Sequence, residues 1–220
     1  PVSWWTADGT LRDVAGPNNG ILSRGASFTQ DRNMLEDNAF AFDGVDDYFE
    51  APTANLPTGN NDRTLELWFC ADSFPSSDQE AYLAGYGAFG SSSQTYHLGT
   101  TGNRLFFSQW GTGVGGPALA PNQWYHVAVT NHGNDVILYL DGTEVSRTSV
   151  PINTPPNTRF FMGRIPGELG NIRRLDGTVD EVTVYDRALS TAEIGEIYRG
   201  TSVKHKPPGI RISPANALAE

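Results

Sequence analysis

Apolar and polar residues alternate with a period of two in many short segments along the chain. Glycine, proline, asparagine and aspartate residues separate these segments from one another. Because successive side chains of a β-strand point to opposite faces, the pattern predicts many short strands, which need two sheets. The segments lie at residues 39–44, 64–71, 81–86, 95–100, 104–110, 124–130, 136–142, 159–163 and 178–186.

Two of these segments allow a more specific prediction. The segment 64–71 is largely apolar on both of its faces, which predicts a central strand covered on both sides. The pair Asp141 and Gly142 stands between two alternating runs, and such a pair suits a tight turn with positive φ angles. The sequence therefore predicts a hairpin that joins residues 136–140 to residues 143–148.

One segment near the end of the chain has the signals of a helix. Ser190 and Glu193 have the spacing of a capping box, apolar residues follow them, and Gly200 provides a stop. We expect a short helix of about three turns, lying over one edge of the sheets.

Four segments, in this order, carry a resemblance to a known family: VSWWTADGTLRDVAGPNNG at 2–20, AFDGVDDYFEAP at 41–52, QWYHVAVTNHGNDVILYLDGTEV at 123–145 and LDGTVDEVTVYDRALSTAEIGEIY at 175–198. They resemble the laminin-G-like jelly rolls of the concanavalin A-like lectin/glucanase superfamily. The resemblance implies an all-β fold, a two-sheet antiparallel jelly-roll sandwich with one short C-terminal helix. It also implies a concave face and a rim of loops, where ligands tend to bind.

The resemblance runs from Val2 to Tyr198 and predicts one jelly-roll domain over residues 1–203. Residues 204–220 are rich in proline and alanine and contain both lysines of the chain, which is typical of a linker-like tail. The version of this domain that the sequence resembles is common in large bacterial surface and secreted proteins, including those that degrade polysaccharides. We therefore expect an extracellular module of a larger protein.

The charge balance excludes one class of partner. With 25 acidic and 15 basic residues, the formal net charge is −10, which argues against nucleic acid because its binding relies on lysine and arginine. No apolar run reaches the length of about 18 residues that a membrane-spanning helix requires, so no membrane insertion is predicted. The single Cys70 excludes an internal disulfide and a thiolate zinc site.

The sequence also argues against catalysis. Related glucanases carry two glutamates and an aspartate on one strand in the order Glu-x-Asp-x-x-Glu, and this string is absent. The nearest acidic cluster, at Asp180, Glu181 and Asp186, does not place two glutamates on one face. Nucleophile-elbow, zinc-protease and phosphate-loop motifs are absent as well. We expect a module that is not an enzyme.

A calcium ion is the expected cofactor, in a structural role. The resemblance implies that calcium joins the N-terminal turn to the start of the last long strand. Here those positions are Asp13, the carbonyls near Gly16 and Asn19, and Asp180. The turns are rich in the oxygen ligands that calcium prefers. The alternative is that these residues make ordinary turns and hairpin ends.

Sugar binding usually needs an aromatic ring that stacks on the apolar side of a pyranose, together with a few polar groups. Aromatic candidates outside the obvious core are Tyr86, Phe89, Tyr96, His97 and Trp110, and Trp110 is the preferred exposed ring. Gln109 offers an amide contact. Arg164 and Arg173 are candidates to clamp the carboxylate of an acidic sugar or of a protein partner.

Three functions remain open at this point. The first is a carbohydrate-binding, lectin-like module, whose partner is a glycan or a cell-surface polysaccharide. The second is protein–protein adhesion, which includes docking to neighbouring domains of the parent protein. The third is a structural spacer in a multidomain polysaccharide-degrading enzyme.

Overall fold

The computed structural model describes residues 1–165 and 174–200. The described residues form fifteen β-strands and one α-helix, and they contain no helix long and apolar enough to cross a membrane. The strands are β1 (Ser3–Trp5), β2 (Ile21–Ser23), β3 (Ser27–Thr29), β4 (Ala39–Asp43), β5 (Tyr48–Pro52), β6 (Arg63–Ser73), β7 (Glu80–Gly87), β8 (Thr95–Thr101), β9 (Arg104–Ser108), β10 (Gly113–Ala118), β11 (Trp124–His132), β12 (Asp135–Leu140), β13 (Thr143–Ser149), β14 (Arg159–Met162) and β15 (Asp176–Tyr185). The helix is α1 (Thr191–Tyr198).

The strands form two antiparallel sheets that pack face to face. The first sheet has the strand order β13-β12-β11-β6-β15-β4-β3, and β1 also pairs with β15. The second sheet has the order β10-β9-β8-β7-β14-β5-β2. This arrangement confirms the all-β, two-sheet jelly-roll sandwich. The predicted tail at 204–220 and the domain boundary before it lie outside the described residues.

The specific strand predictions are confirmed. Strand β6 is central, because it pairs with β11 on one side and with β15 on the other. Strands β12 and β13 form the predicted hairpin, and Asp141 and Gly142 adopt φ angles of 49° and 76° in its turn. Two consecutive positive φ angles match the right-handed twist of the two strands, which explains the preference for Asp-Gly there.

The core lies between the two sheets and takes one residue in two from each strand. On β6, Leu65, Leu67 and Phe69 are fully buried against side chains of the second sheet. The alternate residues of β6, among them Glu66 and Trp68, face away from the core. We call this side the outer face of the first sheet, and the corresponding side of the other sheet the outer face of the second sheet.

The predicted helix is present as α1, but its eight residues make just over two turns instead of three, and it covers part of the outer face of the first sheet instead of an edge. Ser190 Oγ accepts the backbone N–H of Glu193, and the Glu193 carboxylate accepts the N–H of Ser190, which completes the capping box. Ile194 is fully buried against this face. The ring of Tyr198 stacks on Trp68 at 5.7 Å. The helix therefore leaves the outer face of the second sheet uncovered.

Candidate functional site

An aromatic cluster covers the outer face of the second sheet. Tyr82 of β7 and Phe161 of β14 are buried in it, and Phe89 and Trp110 pack against them from neighbouring loops. His97 of β8 stacks on Tyr82, with ring centres 5.3 Å apart. Since the inner residues of these strands fill the core, the cluster is a second apolar layer, in which Phe89 and Trp110 are partly exposed.

One cavity lies beside this cluster, and a second cavity shares a lining residue with the first. The first, which we call the Trp110 cavity, has a volume of about 210 Å³ and is lined by Glu80, His97, Ser108, Trp110 and Gly111. The second, which we call the rim cavity, has a volume of about 250 Å³ and is lined by Asp43, Gly44, Ser73, Phe74, Pro75, Gln79, Glu80, Arg174 and Asp176. Glu80 belongs to both linings.

A further cavity, of about 460 Å³, lies elsewhere on the molecule. It is lined by Asn55, Leu56, Pro57, Thr58, Asn61, Asp62 and Asp186. This lining contains no aromatic ring, so it offers no surface on which a sugar can stack. The Trp110 cavity has a smaller volume but combines a ring with polar groups, which is the usual composition of a small-ligand site.

Buried contacts of Gln109 hold Trp110 in place. The side chain of Gln109 is 1% exposed; its Oε1 accepts the N–H of Ser93 at 2.7 Å, and its Nε2 donates to Thr112 Oγ1 at 2.7 Å. The N–H of Trp110 donates to Ser108 Oγ at 3.0 Å. Trp110 has a φ of 72°, a left-handed conformation that bulky residues rarely adopt. These hydrogen bonds compensate for that strain.

The structure brings two of the predicted ligand residues together and separates a third from them. His97 and Trp110 line the same cavity, with ring centres 6.3 Å apart. Arg164 follows β14, and its Nη1 donates to the carbonyl of Asp46 at 3.3 Å, in the turn between β4 and β5. Arg173 lies outside the described residues. The amide of Gln109 serves the loops rather than a ligand.

Tyr86 and Tyr96 differ from the expectation that they stand outside the core. Both are buried between the sheets, with exposed fractions of 1% and 0%. Arg63, which is also fully buried, donates to Tyr86 Oη at 3.0 Å and lies 4.9 Å from the ring centre of Tyr96. Tyr86 Oη itself donates to the carbonyl of Pro57. Neither ring can stack on a ligand, because both faces are in the core.

The contacts of Asp13 do not fit a calcium site. Its Oδ1 accepts the backbone N–H of Trp4, Ala15 and Gly16, and its Oδ2 accepts the N–H of Asn18. The amide oxygen of Asn19 accepts the N–H of Asp13. Calcium requires oxygen ligands directed at the ion, whereas these oxygens are directed at backbone N–H groups. The arrangement is that of a tightly bonded turn, the alternative considered for these residues.

The contacts of Asp180 do not fit calcium either. Its Oδ2 forms an ion pair with Arg32, so a guanidinium supplies the positive charge at this carboxylate. Burial, and next the charge of Glu181, raise the pKa of Asp180 to about 8, while Arg32 acts in the opposite direction. The partners of Asp13 and those of Asp180 have no residue in common among the described contacts. The described contacts of both carboxylates thus go to protein groups, and calcium at these four positions stays a prediction.

Three other carboxylates lie close together, at Asp43, Asp46 and Asp47, with candidate ligand atoms within 4.8 Å of one another. Asp43 Oδ1 accepts the N–H of Val45, and Asp47 Oδ2 accepts the N–H of Asp43. These are the side-chain-to-backbone bonds by which aspartates stabilise a tight turn. We assign them to the turn between β4 and β5.

A buried polar network occupies the outer face of the first sheet, and sequence reasoning missed it. Glu66 Oε2 lies 2.7 Å from His126 Nε2, and both side chains are buried. Glu181 Oε2 accepts the indole N–H of Trp4 at 2.6 Å. Alternation placed Glu66 away from the core, but only the pairing of β6 with β11 brings it to His126. Because Glu66 is fully buried, a substrate does not reach this network.

Comparison with known proteins gives one family. The family model described as the concanavalin A-like lectin/glucanases superfamily matches residues 43–195. No curated protein matches the sequence.

Three solved structures with similar folds are an extracellular arabinanase domain with a bound sugar, a toxin binding domain and a sialidase with a bound sugar. Domain 4 of AbnA, an extracellular arabinanase from Geobacillus stearothermophilus in complex with arabinotriose, is 17% identical, with a TM-score of 0.71. That comparison covers 90% of this chain and 97% of the other chain. The botulinum neurotoxin serotype D/C binding domain is 13% identical, with a TM-score of 0.69. That comparison covers 92% of this chain and 52% of the toxin chain.

The sialidase of Trypanosoma rangeli in complex with 2,3-difluorosialic acid is 19% identical, with a TM-score of 0.65. The match covers 90% of this chain and 31% of the sialidase. The chain thus spans the whole arabinanase domain, about half of the toxin domain and about a third of the sialidase. At these identities the likeness establishes the fold alone.

Proposed function

Because this chain belongs to the concanavalin A-like lectin/glucanase superfamily, we propose that it is a carbohydrate-binding module that takes a glycan on the outer face of its second sheet. The observation that carries the proposal is the Trp110 cavity, where a partly exposed indole ring stands beside a carboxylate, an imidazole and a hydroxyl group. A ring face packs on the apolar side of a sugar, and the polar groups orient its hydroxyls.

The proposed module is not catalytic. Hydrolysis of a glycosidic bond generally uses two carboxyl groups on either side of the bond. The Trp110 cavity has a single carboxylate among its described lining residues, that of Glu80. The buried carboxylates among the described residues line neither the Trp110 cavity nor the rim cavity; they are Asp13, Asp31, Asp47, Glu66 and Asp180. A sugar ring in the Trp110 cavity therefore meets one carboxylate instead of the pair that cleavage uses.

The proposal places the module outside the cell, as part of a larger protein. The extracellular arabinanase domain supports this location, since its whole length matches the present chain in fold. A glycan or cell-surface polysaccharide is the proposed partner. Adhesion to a protein and a spacer role in a polysaccharide-degrading enzyme become the alternatives if no glycan binds.

A glycan array followed by titration calorimetry tests the proposal. We expect saturable binding to at least one glycan and a loss of about tenfold or more in affinity for Trp110→Ala, which corresponds to about 1.4 kcal/mol. Tyr198→Ala is the matched control, because it removes an exposed ring from helix α1, which covers the first sheet. Its affinity should be unchanged, and melting temperatures show whether both variants fold. Binding that survives Trp110→Ala would contradict the proposal.

A further inference from the structure

Glu80 forms part of the wall of two cavities. It is the first residue of β7, and it lies on the same side of that strand as Tyr82 of the aromatic cluster. The Trp110 cavity and the rim cavity therefore adjoin each other at Glu80.

The two cavities are similar in size, with volumes of about 210 Å³ and about 250 Å³. A single sugar unit occupies one cavity, and water occupies the other. A ligand that uses both cavities has at least two linked units.

The two linings offer complementary chemistry to such a ligand. The Trp110 cavity supplies an aromatic ring, with His97 and Ser108 as polar partners. The rim cavity supplies the apolar surfaces of Phe74 and Pro75, with carboxylates and the amide of Gln79 beside them. Both have the combination of apolar surface and hydrogen-bonding groups that a sugar ring with its hydroxyls requires.

The charges around the two cavities are mainly negative. Glu80, Asp43 and Asp176 contribute carboxylates, and Arg174 is the one guanidinium among the described lining residues. The pKa of the neighbouring Asp72 is raised, first by burial and then by the negative charge of Asp176. A ligand carboxylate brought into this field is repelled, whereas hydroxyl groups donate hydrogen bonds to the carboxylates.

We propose that the ligand is a neutral oligosaccharide of at least two units, which spans the Trp110 cavity and the rim cavity across Glu80. This inference rests on the proposed function and adds the class and minimum length of the glycan. It departs from the sequence-based expectation of an acidic sugar held by Arg164 and Arg173, because Arg164 is bonded to the carbonyl of Asp46 and lines neither cavity.

The test is calorimetry with a matched series of ligands. A neutral mono-, di- and trisaccharide of the polysaccharide found on the array are compared, together with the uronic acid form of the disaccharide. We expect the disaccharide to bind about tenfold or more tightly than the monosaccharide, and about tenfold or more tightly than its acidic form.

Variants link the expected gain to Glu80. Glu80→Gln keeps the size of the side chain and removes its charge, so the advantage of the disaccharide over the monosaccharide should shrink. Glu50→Gln is the matched control, because Glu50 lies on the same outer face, pairs with Arg159 and lines neither cavity. Its affinities should equal those of the unmodified protein, and melting temperatures exclude misfolding.

The outcomes separate this inference from the proposed function. Three outcomes overturn the inference and leave the proposed function in place, provided that binding depends on Trp110. The first is equal affinity for one and two sugar units, and the second is a preference for acidic glycans. The third is an advantage of the disaccharide that is unchanged in Glu80→Gln. Absence of any glycan binding, or binding that does not depend on Trp110, overturns both.

Discussion

The guanidinium of Arg32 forms an ion pair with the carboxylate of Asp180, although the two residues are 148 positions apart in the sequence. Arg32 also lies 4.7 Å from the ring centre of Trp68, which fixes the loop between β3 and β4 against the outer face of the first sheet. A side chain of the protein thus provides the positive charge that the family resemblance led us to expect from calcium.

From this pair we expect stability that does not depend on calcium. A chelator should leave the melting temperature unchanged, whereas Arg32→Met, measured at about pH 9 where Asp180 is ionised, should lower the free energy of unfolding by about 2 kcal/mol, because it leaves the buried carboxylate without its cation. Arg147→Met is the control, since it removes an exposed pair with Glu144 and should cost less than about 1 kcal/mol. A lower melting temperature after chelation would restore the calcium prediction.

Stability should fall as the pH rises from about 4 to about 8. Burial raises the pKa of Glu181 to about 7 and that of Asp180 to about 8. The folded protein keeps these protons at pH values where the unfolded chain has released them, so their contribution to stability declines from about pH 4, the ordinary carboxyl range, and is fully lost once the pH has passed about 7 and 8. The expected slope is on the order of 1 kcal/mol per pH unit.

Glu181→Gln tests this pH dependence. The amide oxygen still accepts the indole N–H of Trp4, and the titrating proton is gone, so the slope in urea unfolding between about pH 5 and about pH 9 should become smaller. Glu36→Gln, at an exposed position, should leave the slope unchanged. An identical slope in Glu181→Gln would show that this carboxyl does not titrate as its burial implies.

The buried pair of Glu66 and His126 should behave as a unit. His126→Leu leaves Glu66 buried without that partner and should cost about 3 kcal/mol in free energy of unfolding. Glu66→Met should be similarly costly, but the double variant should cost clearly less than the sum of the two. Urea unfolding of the three variants measures the coupling. Additive effects would mean that the two groups do not depend on each other.

Gln109 should affect glycan binding through the position of Trp110. Gln109→Met removes the hydrogen bonds to Ser93 and Thr112 while keeping a similar size, so affinity should fall about as far as in Trp110→Ala, and stability by about 1 to 3 kcal/mol. Gln109→Glu keeps the acceptor toward Ser93 and should restore part of the affinity. Gln30→Met, at an exposed amide that contacts Glu36, is the control. Unchanged affinity in Gln109→Met would remove Gln109 from the site.

The sequence by itself determined the features that rest on local physics. Alternation identified nine of the fifteen described strands, Asp141 and Gly142 supplied the positive φ angles of a hairpin turn, and Ser190 with Glu193 began the helix. Each of these signals depends on residues that are close together in the sequence, so contacts with distant parts of the chain change it little. The order of four such motifs was enough to indicate the family, which the match over residues 43–195 confirms.

Only the tertiary structure decided which rings are available to a ligand. Alternation places Tyr96 and His97 on opposite faces but does not say which face is the inner one. A register shift between Tyr82 and Ala84 also puts Tyr82 on the outer face and Tyr86 in the core, although their even spacing predicts a shared face. The pairing of strands across the whole chain sets both outcomes, and so it also decides where Glu80 meets Trp110 and where Arg32 meets Asp180.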